Sequence, residues 1–239
     1  MGRHSPTLIA VLCLLLAFFA SLQVEAGTIA TGSNHAVAIK SDGTLWAWGN
    51  NGSGQLGDNT FLNRTIPEQI GSVTTWRAVA AGSNFTVALR SDGTLWSWGN
   101  NGSGQLGDGT TTNQATPAQI GTLRTWKAVA AGTGFTLALR SDGTLWSWGN
   151  NSSGQLGDGT TTNQTLPERI GTSSGWRALS AGPRFTLALR SDGTLWSWGN
   201  NSSGQLGDGT FVNRAPSRLF PPGCRPLWAG GGLAGPPFR

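Results

Sequence analysis

Apolar and small residues alternate in short runs along this chain. The run Phe85-Thr86-Val87-Ala88-Leu89-Arg90 is apolar and β-branched with a period of two, which predicts a strand. Ser91-Asp92-Gly93-Thr94 interrupts it. Asp-Gly between two such runs predicts a hairpin, because Gly accepts positive φ and Asp can bond the turn backbone. Leu95-Trp96-Ser97-Trp98 is the return strand. Trp96 and Trp98 share one face and Leu95 takes the other. With apolar side chains on both faces, both are expected to be covered. A long Gly/Asn/Thr loop follows, then the extended piece Thr116–Ile120. Pro117 has no N–H to give a ladder, so this piece is expected at a sheet edge. Trp126–Gly132 is a small-residue strand suited to a crowded inner position. No segment shows a 3.6-residue apolar period, so almost no helix is expected after residue 26.

The pattern repeats. SDGTLWAWGNNGSGQLGDNT begins at Ser41, and near copies begin at Ser91, Ser141 and Ser191, 50 residues apart each time. Copies three and four are identical over this stretch, and copy two differs from them only at Gly102. A fixed period of this size marks a repeat architecture. Four strands per period predict an all-β fold of β-propeller blades, each of four antiparallel strands. The four repeats fall at about 28–77, 78–127, 128–177 and 178–219 within residues 27–219. Each is expected to bury three tryptophans, Trp46, Trp48 and Trp76 in the first.

The ends differ from the middle. Leu8–Leu22 is mostly apolar, and Val24-Glu25-Ala26 offers a cleavage site. The run is shorter than the ~20 residues needed to cross a bilayer. Residues 1–26 therefore read as a secretory signal peptide, without stable membrane insertion. Cleavage would remove Cys13 and leave Cys224 alone, so no intrachain disulfide is expected. Localisation is expected to be secreted, extracellular or periplasmic/cell-surface. Residues 220–239 form an irregular Gly/Pro/Arg-rich tail, read as a frameshifted or truncated end or as a natural disordered tail. The prolines at 67, 117, 167 and 216 show that the fourth copy has lost one residue.

Net charge is +5. Residues 27–210 carry 11 Lys/Arg against 10 Asp/Glu, a net of 11 − 10 = +1, while residues 211–239 hold four Arg and no acid. The repeats are nearly neutral, so no nucleic-acid partner is expected.

Motifs that suggest chemistry have simpler readings. Gly52–Gly57 and Gly102–Gly107 fit G-x-G-x-x-G, but they lead into Asp-Gly-Thr turns instead of a helix, which removes the phosphate site. Asp108, Asp158 and Asp208 lack the alternating oxygen ligands of a calcium loop and are expected to cap turns. His35 aligns with Phe85, Phe135 and Phe185 and is expected to fill a packing slot. A lone His without Cys partners gives no zinc site. No catalytic residue, metal or cofactor is expected, and the chain is not expected to be an enzyme. Asn51, Asn63, Asn84, Asn101 and Asn163 begin glycosylation sequons. The copies differ most after the GQLG loop. Phe61, Leu62 and Arg64 stand in the first and Phe211, Val212 and Arg214 in the fourth, where the middle copies have Thr, Thr and Gln. Phe and Arg are residue types that anchor interfaces, so these are the candidate binding residues. Drift in a solvated loop is the plainer alternative.

The set Asp92-Gly93, Trp98-Gly99, Asn101 and Gly104-Gln105-Leu106-Gly107 occurs in all four units. It resembles the regulator of chromosome condensation repeat family over residues 28 to about 219. The resemblance implies a β-propeller, typically seven-bladed, so four units imply an incomplete or open one. The terminal blades would then expose apolar faces, favouring self-association. The family's founder exchanges nucleotide on a small GTPase through a wedge inserted in one blade, and the strict period here leaves no room for one. The expected function is a secreted non-enzymatic scaffold that binds a protein or ligand through loops on one face. Alternatives are an inhibitor of a secreted enzyme such as a β-lactamase and, by family analogy, a guanine-nucleotide exchange factor.

Overall fold

The alternating runs become sixteen short strands in four sheets, in a computed structural model that describes residues 29–219. The expected leader, Cys224 and the 220–239 tail lie outside the described residues. The first sheet holds β1 (Ile29–Thr31), β2 (His35–Ile39), β3 (Leu45–Gly49) and β4 (Arg64–Gln69). The second holds β5 (Trp76–Ala81), β6 (Phe85–Arg90), β7 (Leu95–Gly99) and β8 (Gln114–Gln119). The third holds β9 (Trp126–Ala131), β10 (Phe135–Arg140), β11 (Leu145–Gly149) and β12 (Gln164–Arg169). The fourth holds β13 (Trp176–Ala181), β14 (Phe185–Arg190), β15 (Leu195–Gly199) and β16 (Arg214–Leu219). In every sheet the strands lie side by side in chain order and pair antiparallel. No helix is present among the described residues, and none there could cross a membrane.

The hairpin turn works as its residues dictate. The Asp92 carboxylate accepts the Thr94 N–H at 3.0 Å and the Thr94 hydroxyl at 2.7 Å. Gly93 stands at φ 79°, where a side chain would be strained. The Thr94 hydroxyl oxygen also accepts Trp96 Nε1–H at 2.9 Å, so the turn positions one indole directly. The last strand of each sheet carries the proline predicted for an edge: Pro67, Pro117, Pro167 and Pro216. A missing donor there blunts further strand addition.

The sheets stack face to face, and the core lies between them. Val37, Leu45 and Ala47 of the first sheet pack on Trp76, Ala88 and Trp98 of the second. The same arrangement joins the second to the third and the third to the fourth. The tryptophan grouping expected from contiguity is corrected here. Trp76 opens β5 and packs on Trp96 and Trp98 of its own sheet, with ring centroids 6.0 and 5.9 Å apart. The trios are therefore 76/96/98, 126/146/148 and 176/196/198. The first sheet lacks a third indole, since Ala26 stands fifty residues before Trp76, where the later copies have tryptophan. The connection from β4 to β5 carries the chain to the next blade, so the Trp-Arg strand starts a blade instead of ending one.

The arc does not close. Packing runs β2 on β5, β6 on β9 and β10 on β13. No described residue packs on the outer faces of the first and fourth sheets. Trp98, Trp148 and Trp198 are fully buried, whereas Trp48 is half-buried. Phe135, Leu137 and Leu139 are buried, whereas Phe185, Leu187 and Leu189 are half-buried. The fold is an open, incomplete propeller.

Candidate interaction surface

Sequential antiparallel strands place the β1–β2 turn and the long β3–β4 loop at one end of each blade. The blades share one orientation, so the four long loops gather on one face of the arc. Each loop is organised by an asparagine. Asn101 Oδ1 accepts the buried Leu106 N–H at 3.0 Å, and its Nδ2 donates to Asp108 Oδ1 and the Thr110 carbonyl, both at 3.1 Å. Its own N–H donates to Asn113 Oδ1 at 2.9 Å. Asn51, Asn151 and Asn201 repeat the pattern. Gln105 locks the loop's start: its Nε2 donates to Asn100 Oδ1 at 2.6 Å and its Oε1 accepts the Ser103 N–H at 2.9 Å.

The aspartates are occupied as turn caps. The Thr94 hydroxyl and N–H hold the Asp92 carboxyl below its ordinary range, and threonine partners do the same at Asp42, Asp142 and Asp192. At Asp58 burial opposes ionisation, but hydrogen bonds from Thr60, Arg64 and Asn51 outweigh it and lower the pKa. The Thr210 hydroxyl, followed by Arg214, depresses Asp208 strongly. No group of three or more His, Cys, Asp and Glu is gathered for a metal among the described residues.

The candidate binding residues divide in two. Phe61, Leu62, Phe211 and Val212 stand at the loop tips with exposures of 58, 65, 74 and 58%. Arg64 and Arg214 are not free anchors. Arg64 pairs with Asp58 at 2.7 Å and Glu68 at 2.6 Å, and Arg214 pairs with Asp208 at 2.8 Å. Gln164 makes the same link in the third blade, donating to Asp158 at 3.3 Å. These positions brace the base of the loop whether they carry Arg or Gln. The glycosylation reading also changes. Asn51 and Asn101 are fully buried with their carboxamides engaged. Asn63, Asn84 and Asn163 are exposed, although the Asn63 and Asn163 carboxamide oxygens accept loop N–H groups. His35 is buried as expected, and burial lowers its pKa to about 4.

Sequence reasoning missed the role of the Gln55, Gln105 and Gln155 carbonyls. Each accepts a threonine hydroxyl from the following blade at 2.9 Å: Thr86, Thr136 and Thr186 respectively. Trp148 and Trp198 Nε1 add bonds of 2.9 Å to Gln105 and Gln155. Invariance of the GQLG stretch across the copies is the signal in the sequence, beyond what a turn alone requires.

The sequence matches the RCC1-like domain over residues 4–233. The chain belongs to the RCC1-like domain family. The solved structure of human WBSCR16 superposes with a TM-score of 0.72 at 24% identity, covering 80% of this chain and 52% of that one. Yeast Prp20p, described with its binding properties to Gsp1p and histones, gives 0.71 at 25% identity, covering 80% of this chain and 49% of that one. A dog X-linked retinitis pigmentosa GTPase regulator is 36% identical over 64 residues, 26% of this chain and 6% of that protein. The chain spans about half the length of these solved relatives and a small part of the regulator. At these identities the solved structures speak mainly to the fold, which is that of RCC1-type propellers.

Proposed function

We propose that this RCC1-like chain is a secreted, non-enzymatic scaffold that binds a protein partner through the loop tips on one face. The observation that carries the reading is the exposure of Phe61, Leu62, Phe211 and Val212 on loops whose polar groups are bonded internally. Loop cores tied down this way present apolar tips at little ordering cost, which favours recognition. Protein binding also accords with the relatives, since yeast RCC1 has been solved bound to Kap60. Secretion rests on the character of residues 1–26, and self-association through the terminal blades is a further expectation of the open arc. Inhibition of a secreted enzyme would use the same tips. Nucleotide exchange rests on the family alone.

The test compares the chain with a variant carrying Phe61→Ser, Leu62→Ser, Phe211→Ser and Val212→Ser. Both are immobilised and exposed to the supernatant of the source culture, and retained proteins are quantified. The reading expects a partner held by the parent and lost by the variant. Equal retention would place the surface elsewhere. Release of labelled nucleotide from a small GTPase at catalytic amounts of the chain would replace the scaffold reading with exchange.

A further inference from the structure

The three junctions inside the arc show what covers each face of a blade, and the same contacts recur at each. A Gln carbonyl accepts a threonine hydroxyl from the next blade at 2.9 Å, and Trp148 and Trp198 Nε1 add a second bond at two junctions. A loop N–H donates to the outer strand of the next blade: Asn59 to Ala115 at 3.0 Å, Gly109 to Thr165 at 2.9 Å and Gly159 to Ala215 at 3.4 Å. A bare glycine Cα lies against the next indole. A Cβ on Gly57, Gly107 or Gly157 would stand 2.8, 2.6 or 2.6 Å from Nε1 of Trp98, Trp148 or Trp198.

Among the described residues the fourth blade ends the arc, with one complete half of this junction. Gln205 is half-buried and Gly207 exposed, where Gln105, Gly107 and their counterparts are buried. Leu187 and Leu189 of the same blade are half-buried. The first blade begins the arc with the other half. Trp48, Ala36 and Ala38 are half-buried, and Thr65 is exposed where Ala115, Thr165 and Ala215 are half-buried. Each end therefore lacks what the other end presents.

We propose that a second copy of this chain docks head to tail, its first blade stacking on the fourth blade of its neighbour. The internal junctions give the register. Trp48 Nε1 of one copy would donate to the Gln205 carbonyl of the other, over the bare Cα of Gly207. The Gly209 N–H would meet the Thr65 carbonyl, and Ile66, 72% exposed, would come beside Gly209 as Leu166 lies 3.5 Å from the Cβ position of Gly109. The apolar tips Phe211 and Val212 then flank the same junction. This junction has one bond fewer than those at Gln105 and Gln155. Ala36 stands where Thr86, Thr136 and Thr186 supply a hydroxyl, so the Gln205 carbonyl gains one side-chain bond, as the Gln55 carbonyl does, where Gln105 and Gln155 each gain two. Two copies joined at both ends form a ring of four plus four blades, the smallest closed form for a head-to-tail contact.

The test is the mass of the full chain by light scattering over a range of concentrations, with two variants. Ala38→Arg places a charge on the open face of the first blade, and Leu187→Glu places one on the open face of the fourth. Both positions are half-buried, so each charge reaches water in the single copy. In the internal junctions Val37 clusters with Ala88 and Val87 with Ala138, so Leu187 is expected to oppose Ala38 of the neighbour. The parent is expected at twice the monomer mass, and each variant alone at the monomer mass. An equimolar mixture of the variants should regain the doubled mass. One junction in that pair is intact, and in the other the introduced arginine faces the introduced glutamate. Regain on mixing also shows that both variants are folded. A parent that stays monomeric overturns the proposal, as do variants that remain dimeric. So does a mixture that stays monomeric while both variants keep native circular dichroism. Assemblies larger than two copies overturn the closed ring.

Discussion

Replacing His35 with Phe tests the reading of that position as a packing slot and isolates one acid-sensitive group. His35 is 4% exposed, and its Nε2 lies 3.1 Å from Thr86 Oγ1. That hydroxyl donates its proton to the Gln55 carbonyl, so the ring nitrogen is the donor and Nδ1 is left bare. Nδ1 is buried and has no hydrogen-bond partner. Protonating it places a charge where nothing balances it, and burial lowers the pKa from 6.5 to about 4. The unfolded chain takes up this proton below 6.5 and the folded chain does not until about 4. Stability therefore falls as pH drops through that window, by ~1.4 kcal/mol per pH unit and by about 3 kcal/mol in all. The aspartates overlap only the lower part of the window. Those with resolved shifts have pKa values below 3.8 in the fold, so their contributions begin to fade only at about pH 5 and are lost below it. In the variant the ring should occupy the slot that Phe85, Phe135 and Phe185 take in the other blades. Each of those rings lies against a bare glycine, Gly82, Gly132 or Gly182, and Gly32 is ready for the same contact. Urea unfolding of both proteins at several pH values between about 7 and 5 is the assay. The parent should lose stability steadily across the range, and His35→Phe should stay flat. Parallel slopes for the two proteins would refute the argument.

Two further outcomes follow from the packing. Gly157→Ala should destabilise more than Gly121→Ala. Both sit at positive φ, 78° and 59°, but only the first would drive a Cβ into Trp198, while Gly121 has open space. The backbone cost of about 1–2 kcal/mol is shared, and overpacking should add about 1–3 kcal/mol at Gly157. Thermal unfolding measures the gap, and equal losses would remove the glycine–indole contact as a cause. Asn101→Ala should cost at least the ~1–3 kcal/mol of a stranded buried donor, because Leu106, 0% exposed, loses the partner of its N–H. Ser103→Ala is the comparison for urea unfolding, and an equal loss there would deny Asn101 its organising role.

Much of the fold was legible because its causes are local. Asp92-Gly93 forms the turn that its types demand, Trp96 and Trp98 fall on one face, and Pro117 sits on the edge strand. Less of the site was legible. Arg64 and Phe61 looked alike as interface anchors, yet only the folded loop shows Arg64 spent on Asp58 and Phe61 left in solvent. Asn51 read as a glycosylation acceptor because a sequon is a three-residue pattern, and its burial depends on Leu56, Asp58 and Thr60 folding back over it. Trp76 was assigned to the preceding blade because it follows that blade in the chain. Its partners lie twenty residues ahead, in the sheet it opens.

By itself the sequence determined the 50-residue unit, its four strands, its turns and the edge proline, since each depends on neighbouring residues and their allowed backbone angles. Tertiary structure alone decided which of four equivalent residues is covered. Leu-Trp-x-Trp-Gly occurs in all four copies, yet Trp98 is buried and Trp48 half-buried. The difference lies in whether a preceding blade supplies the glycine, carbonyl and apolar side chains against the indole. Burial belongs to a pair of blades, and a repeat sequence describes only one of them.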